Sequence, residues 1–175
     1  MKGLLILDIQ NDFTAPGAKF PVDQNQAAKI IGNINRLTAN IGTNKLIPVY
    51  IGNEFSKWDL LNIFRNFAAI KGSEGSKTDK RLHVVNQNYF SKNRSSAFAN
   101  SAFEAFLKSK TIDELYVAGL FAEGCVWGTV KEAVKKGYKV TVLSDCIASA
   151  TDKKRETMIE KYKNLGVKLK LTGNF

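Results

Sequence analysis

The stretch "ELYVAGLFAEGCVWGTV", Glu114 to Val130, decides how the chain folds. Residues 114–120 are a nearly continuous apolar run, which fits a strand buried on both faces of a parallel sheet. From residue 124 the apolar positions Val126, Val130, Ala133 and Val134 recur at helical spacing until Gly137, the kind of residue that ends helices. A strand that turns directly into a helix is half of a βα unit. Cys125 stands at that junction, just after Gly124. It is either a small buried hydrophobe or a nucleophile at a helix start.

The same alternation extends in both directions. "GLLILDI" at 3–9, "KLIPVYIG" at 45–52, "HVVNQN" at 83–88, "KVTVLSD" at 139–145 and "VKLKL" at 167–171 read as further strands, with Pro48 marking a bulge or an edge. Helices are expected over about 24–40, capped by Asp23, over about 99–109, and over 152–164, closing at Gly166. The segment 57–70, "WDLLNIFRNF" and its flanks, is ambiguous but could be helical. Strands alternating with helices predict a parallel, doubly wound α/β sheet. With 175 residues, no linker and no repeat, one domain over 1–175 is expected.

Composition excludes several classes. The net charge of +10 is spread along the chain: 7 Lys/Arg against 5 Asp/Glu in 1–70, 8 against 3 in 71–110, 11 against 8 in 111–175. No basic block argues for specific nucleic-acid binding, although the charge would suit an anionic small molecule. The two cysteines, Cys125 and Cys146, make no disulfide framework, and a reducing compartment is expected. Acidic and polar residues interrupt the N-terminal apolar run, so it reads as a strand and not as a signal peptide. No run reaches membrane-spanning length. The expectation is a cytoplasmic protein without membrane association.

In doubly wound sheets ligands bind beyond the carboxyl ends of the strands, where the strand order reverses. Asp8 ends the first strand, Lys92 follows the third, and Cys125 follows the fourth. Singly, each has a plain structural role: a satisfied carboxylate, a solvated loop lysine, a buried thiol. Together they form an acid/base group, a cation and a thiol at one sheet edge. That is the logic of an activated nucleophile, in which Asp8 takes the thiol proton and Lys92 favours thiolate. Cys146, in "SDCIAS", is expected to be packed. Phe13, Trp58, Phe98 and Trp127 are the aromatic candidates for a pocket wall.

Four segments carry a more specific resemblance: "LLILDIQNDF" at 4–13, "YFSKNRSSAF" at 89–98, "VAGLFAEGCVWGTV" at 117–130 and "VTVLSDCIAS" at 140–149. In order and spacing the chain resembles the isochorismatase-like cysteine hydrolase superfamily, which includes nicotinamidases and N-carbamoylsarcosine amidohydrolase. The resemblance implies a three-layer, Rossmann-like α/β/α fold with a six-stranded parallel sheet and a catalytic triad of Asp8, Lys92 and Cys125. It also implies a non-proline cis peptide, placed by position between Phe121 and Ala122. An oxyanion hole would be formed by the N–H groups of Ala122 and Cys125. Many relatives have Thr where Ala122 stands, and relatives usually form dimers or tetramers. Nicotinamidases carry a metal site with an Asp and two His after the second strand. Here that region has no histidine and His83 is the chain's only one, so no metal and no cofactor are expected.

The expected function is hydrolysis of a C–N amide-type bond in a small molecule through a Cys125 acyl-enzyme. Two alternatives remain open: isochorismatase-type vinyl ether hydrolysis with Asp8 as general acid, and a binding or thiol-sensing module without turnover. Specificity is expected to lie in residues 52–75.

Overall fold

The computed structural model describes all 175 residues, apart from the side chains of Thr43 and Asn44. Leu4 to Leu7 are at most 1% exposed, as a continuous apolar run at the centre of a parallel sheet requires. They lie in β1 (Lys2–Leu7). The other strands are β2 (Leu46–Asn53), β3 (Tyr89–Lys92), β4 (Glu114–Leu120), β5 (Lys139–Ala148) and β6 (Lys168–Lys170). All neighbours pair in parallel, in the order β3-β2-β1-β4-β5-β6. The chain moves outward from β1 to β3, then crosses back to place β4 on the other side of β1. The order therefore reverses between β1 and β4, which opens the crevice where such folds hold ligands.

Six helical segments are α1 (Asn11–Thr14), α2 (Gln24–Ala39), α3 (Ile41–Asn44), α4 (Ser101–Ser109), α5 (Trp127–Lys135) and α6 (Asp152–Asn164). Side chains of β1 alternate between two cores. Leu4 and Ile6 join Ala27, Ile30, Ile31 and Ile34 of α2 on one face. Leu5 and Leu7 join Phe103 and Leu107 of α4, Val130 of α5 and Tyr162 of α6 on the other. Each fully buried Leu or Ile contributes about 1.5–3 kcal/mol, so the two layers fix the sheet from both sides. The result is the three-layer α/β/α arrangement expected. The Asp23 carboxylate accepts from the Gln26 N–H at 2.9 Å and starts α2.

Two elements differ from the pattern reading. Residues 83–88 are not a strand: Val84 and Val85 are about half exposed, and Asn86 and Asn88 donate side-chain amides to the Pro48 carbonyl at 3.1 Å each. The third strand is the next four residues, and Lys92 is its last member instead of a loop residue. This short edge strand lacks the apolar run that marks a central one. It reaches only Tyr50–Asn53 of β2, so Pro48 lies on an unpaired edge, where proline is tolerated. The helix considered for 57–70 shrinks to a 3₁₀ turn, Leu60–Arg65. Its apolar side chains face outward, and left-handed residues Asn66, Phe67 and Ala69 follow it.

Candidate active site

Asp8 leaves β1 with φ +59°, a left-handed conformation uncommon outside glycine. Its N–H donates to the Ile51 carbonyl at 2.8 Å, which ties the turn to β2. On the neighbouring strands Asn53 and Lys92 stand side by side in register. Three adjacent strands thus deliver Asp8, Asn53 and Lys92 to one point at their carboxyl ends. Cys125 reaches that point from the turn after β4.

The Lys92 ammonium makes three contacts: 3.0 Å to Asp8 Oδ2, 2.7 Å to Asn53 Oδ1 and 3.1 Å to Cys125 Sγ. A lysine has three donors, so all are used. Asn53 also donates its Nδ2 to the sulfur at 3.6 Å. The Lys92 and Asp8 side chains are 0% and 1% exposed. Asp8 Oδ1 is buried with no hydrogen-bond partner among the described residues. Gln10 holds Asn53 by its backbone, accepting from the Asn53 N–H at 2.8 Å and donating to the Asn53 carbonyl at 2.8 Å.

Burial governs the titration of this group. It raises the Asp8 carboxyl above its ordinary range, against the opposing pull of Lys92. For Lys92, burial alone would lower the pKa, but Asp8 and Cys125 outweigh it and raise it. The Cys125 thiol is pushed up to about 12, first by burial and then by the Asp8 charge, with Lys92 and Asn53 pulling the other way. This corrects the expected lowering of the thiol. Lys92 does stabilise thiolate, but the nearby carboxylate and the loss of water outweigh it.

Cys125 lies in a widened turn, Ala122–Val126, that precedes α5. The Phe121 carbonyl accepts from the Gly124 N–H at 2.9 Å and from the Val126 N–H at 3.2 Å, passing over Cys125. Such i→i−5 turns recur at functional sites. Tyr162 Oη donates to the Ala122 carbonyl at 2.5 Å and pins the turn from α6. The cis peptide is Leu120–Phe121, one residue before the expected Phe121–Ala122 bond. The Phe121 carbonyl already belongs to the helical turn, so the irregular bond falls at the end of the strand. At Gly124 an added Cβ would meet only Phe121 Cβ, at 3.5 Å.

A cavity of about 490 Å³ opens beside the sulfur, walled by Phe13, Phe20, Phe55 and Phe121 with Cys125 and Arg65 among its lining. That size suits a small ligand. Of the four aromatic candidates, only Phe13 reaches it. Trp58 is 81% exposed, and Phe98 is buried in the opposite core against Phe103. Trp127 packs edge-on against Tyr162 and lines a larger open groove along α5, which shares only Glu123 and Gly124 with the cavity. Cys146 is fully buried. Sequence reasoning did not single out Asn53, Gln10, Phe20, Phe55 or Arg65, and named Phe121 only for the cis peptide. Asn53, Phe55 and Arg65 do lie in the segment 52–75 where specificity was expected, and Asn53 ends a strand.

The residues after β2 do not fit a nicotinamidase-type metal site. The only polar side chain ending that strand, Asn53, is committed to Lys92 and Cys125, and His83 is exposed. Among the described residues no three His, Cys, Asp or Glu side chains group to hold a metal ion. No helix among them is long and apolar enough to cross a membrane.

Residues 2–172 match the family described as the isochorismatase domain. A "probable inactive nicotinamidase" of Arabidopsis thaliana is 29% identical over 177 residues, spanning 94% of this chain and 89% of that one. N-carbamoylsarcosine amidase of Arthrobacter sp is 28% identical over 161 residues, spanning 81% of this chain and 57% of that one. The crystal structure of an isochorismatase-like hydrolase from Alkaliphilus metalliredigens aligns with a TM-score of 0.91 and 25% identity, covering 99% of this chain and 96% of that one. The chain belongs to the isochorismatase family of hydrolases.

Proposed function

We propose that this hydrolase cleaves a C–N amide-type bond of a small molecule, with Cys125 as nucleophile, Asp8 as proton carrier and Lys92 as the fixed cation. The observation that carries this reading is the simultaneous contact of the Lys92 ammonium with Asp8, Asn53 and Cys125.

The raised thiol pKa does not oppose this chemistry. Losing the proton to bulk water would leave a buried group with an extra negative charge. Passing it to Asp8 converts carboxylate and thiol into carboxylic acid and thiolate beside the same ammonium, and the total charge does not change. The unpartnered Asp8 Oδ1 is free to receive that proton. As the S–H bond breaks, sulfur bonds to the amide carbon and the carbonyl electron pair moves onto oxygen. The N–H groups of Ala122 and Cys125 receive that oxyanion. Its collapse breaks the C–N bond, and the leaving amine takes the proton from Asp8. Asp8 then removes a proton from water, hydroxide attacks the thioester, and the departing thiolate recovers the proton. The products are amine, carboxylic acid and free enzyme.

Replacing Cys125 by Ala should abolish turnover of an amide panel, by at least about 10³-fold for loss of a nucleophile, while the thermal melt stays cooperative. Wild-type turnover in Cys125→Ala would overturn the mechanism, and wild-type cleavage of isochorismate by that variant would favour the vinyl ether reaction. The non-catalytic reading has one observation in its favour, the "probable inactive" description of the Arabidopsis relative. Silence of the wild-type enzyme on the panel, with ready oxidation of Cys125, would move the function there.

The same reading places the protein in a reducing compartment, which keeps Cys125 and Cys146 as the free thiols they are here. It also includes self-association as a dimer or tetramer. Trp58, Leu60, Ile63 and Phe64 are 70–83% exposed, more apolar surface than a monomer usually leaves in one segment. Sedimentation equilibrium checks it.

A further inference from the structure

We propose that Arg65 sets the specificity of the cavity by receiving the carboxylate of an amide substrate whose body is flat and apolar. The proposal rests on the amide-hydrolysis reading of Cys125 and goes on to name the substrate class.

The wall beside the sulfur is aromatic. Phe121 meets Phe13 edge-on at 5.8 Å and Phe20 at 5.3 Å. Phe55 lies under the Arg65 guanidinium, 3.8 Å from its central carbon to the ring centroid. Such a wall selects planar apolar matter over a compact polar molecule. It offers few polar groups for orientation, which leaves that task to its cations.

Arg65 is held but not saturated. Its Nη2 donates to Asp59 Oδ2 at 2.6 Å and to Asn62 Oδ1 at 3.0 Å, and these bonds fix the plane of the group. Its Nε is buried without a partner and out of a ligand's reach, whereas its Nη1 makes no hydrogen bond among the described residues. A guanidinium has five donors and pairs strongly with carboxylates. A carboxylate brought by the substrate to Nη1 supplies an acceptor that the chain does not. Lys154 adds a second cation to the lining. The lining's one acid, Glu123, already accepts from Ser149 Oγ at 2.6 Å. The cavity therefore presents two cations, of which Arg65 is already paired with Asp59 outside the lining, against one engaged carboxylate.

The test uses the full chain in a Cys146→Ser background and reads the rate of Cys125 alkylation by iodoacetamide under protection by benzoate or by neutral benzyl alcohol. Each variant is normalised to its own unprotected rate. Benzoate should half-protect at a concentration about tenfold lower than benzyl alcohol, the ratio expected for one charge-assisted contact. Arg65→Gln should bring that ratio close to one, and Arg65→Lys should keep part of it. Equal protection by both probes in the wild type, or an unchanged ratio in Arg65→Gln, would overturn the proposal. So would parallel loss of both kinds of protection in Arg65→Gln, which marks a structural role. Because the readout does not need turnover, Arg65-dependent protection alongside a silent amide panel would retain the carboxylate site and reject the hydrolysis reading. Preferred turnover of neutral amides over carboxylate-bearing ones would reject the carboxylate site alone.

Discussion

At Cys125, reactivity is a balance between two neighbours of opposite charge. Burial raises the thiol pKa most, the Asp8 carboxylate raises it further and the Lys92 ammonium lowers it. Asp8→Asn removes the carboxylate's influence and leaves a cation 3.1 Å from the sulfur. Asparagine also tolerates the left-handed backbone at this position. The Cys125 pKa should therefore fall. Each unit of fall gives roughly tenfold more thiolate at neutral pH, offset in part by weaker intrinsic nucleophilicity, for a net gain of about threefold in alkylation rate. Amide turnover should drop by at least about 10²-fold, because the proton carrier is gone. A thiol that becomes slower in Asp8→Asn would show that proton transfer to the carboxylate outweighs the field of Lys92 even in alkylation. The sequence revealed Asp8 and Cys125 through strand ends and motif, but not the sign of the thiol's shift, which depends on how much water the fold removes.

Two elements aim the sulfur. Gly119 in β4 has φ +120°, and a Cβ there would lie 2.0 Å from the Leu7 carbonyl oxygen. The backbones of β1 and β4 meet at this point, next to the residues that lead into Asp8 and Cys125. Gly119→Ala should cost more than about 4 kcal/mol and remove the cooperative melt. An alanine variant that melts like the wild type would refute so close an approach. From the other side, Tyr162 in α6 holds the Ala122 carbonyl. Tyr162→Phe leaves that buried acceptor unpaired, at about 1–3 kcal/mol, and should lower kcat more than it raises KM, because the turn that carries Cys125 loosens. Denaturant melts and steady-state kinetics on one preparation separate the two effects. Periodicity showed β4 and α5 but not the widened turn between them, since its single extra residue disturbs no apolar repeat.

For the whole molecule, the segment after residue 72 is drawn back over the start of the chain by Asp79. Burial alone would raise this carboxyl, but bonds from Arg81 and Thr14 outweigh it and hold the pKa at about 2. Arg81 in turn donates to the Thr14 carbonyl at 2.6 Å. A depressed carboxyl stabilises the fold above its unfolded pKa of about 3.9, and this contribution is lost as pH falls through about 2. Part of the acid unfolding should therefore fall between about pH 4 and pH 2. Asp79→Asn should be less stable at pH 7 by about 1–3 kcal/mol, with the gap closing across that window. A gap that stays constant with pH would show that the ion pair contributes nothing through its charge.

The sequence by itself determined the layers and the sheet edge where the candidate residues gather. Continuous apolar runs alternating with amphipathic helices admit few arrangements other than a parallel doubly wound sheet. Strand ends then mark the crevice, so Asp8 and Cys125 could be placed there from local pattern, while Lys92, read as lying in a loop after a strand at 83–88, was singled out with them through the resemblance. Only the tertiary structure decided what surrounds them. Asn53 bridges lysine and sulfur because β2 and β3 happen to be in register there. Trp58 faces outward while Arg65, in the same segment, lines the cavity. Local pattern reports which face of an element is apolar. It does not report which irregular loop folds over that face, because loop placement depends on contacts between residues far apart in the chain.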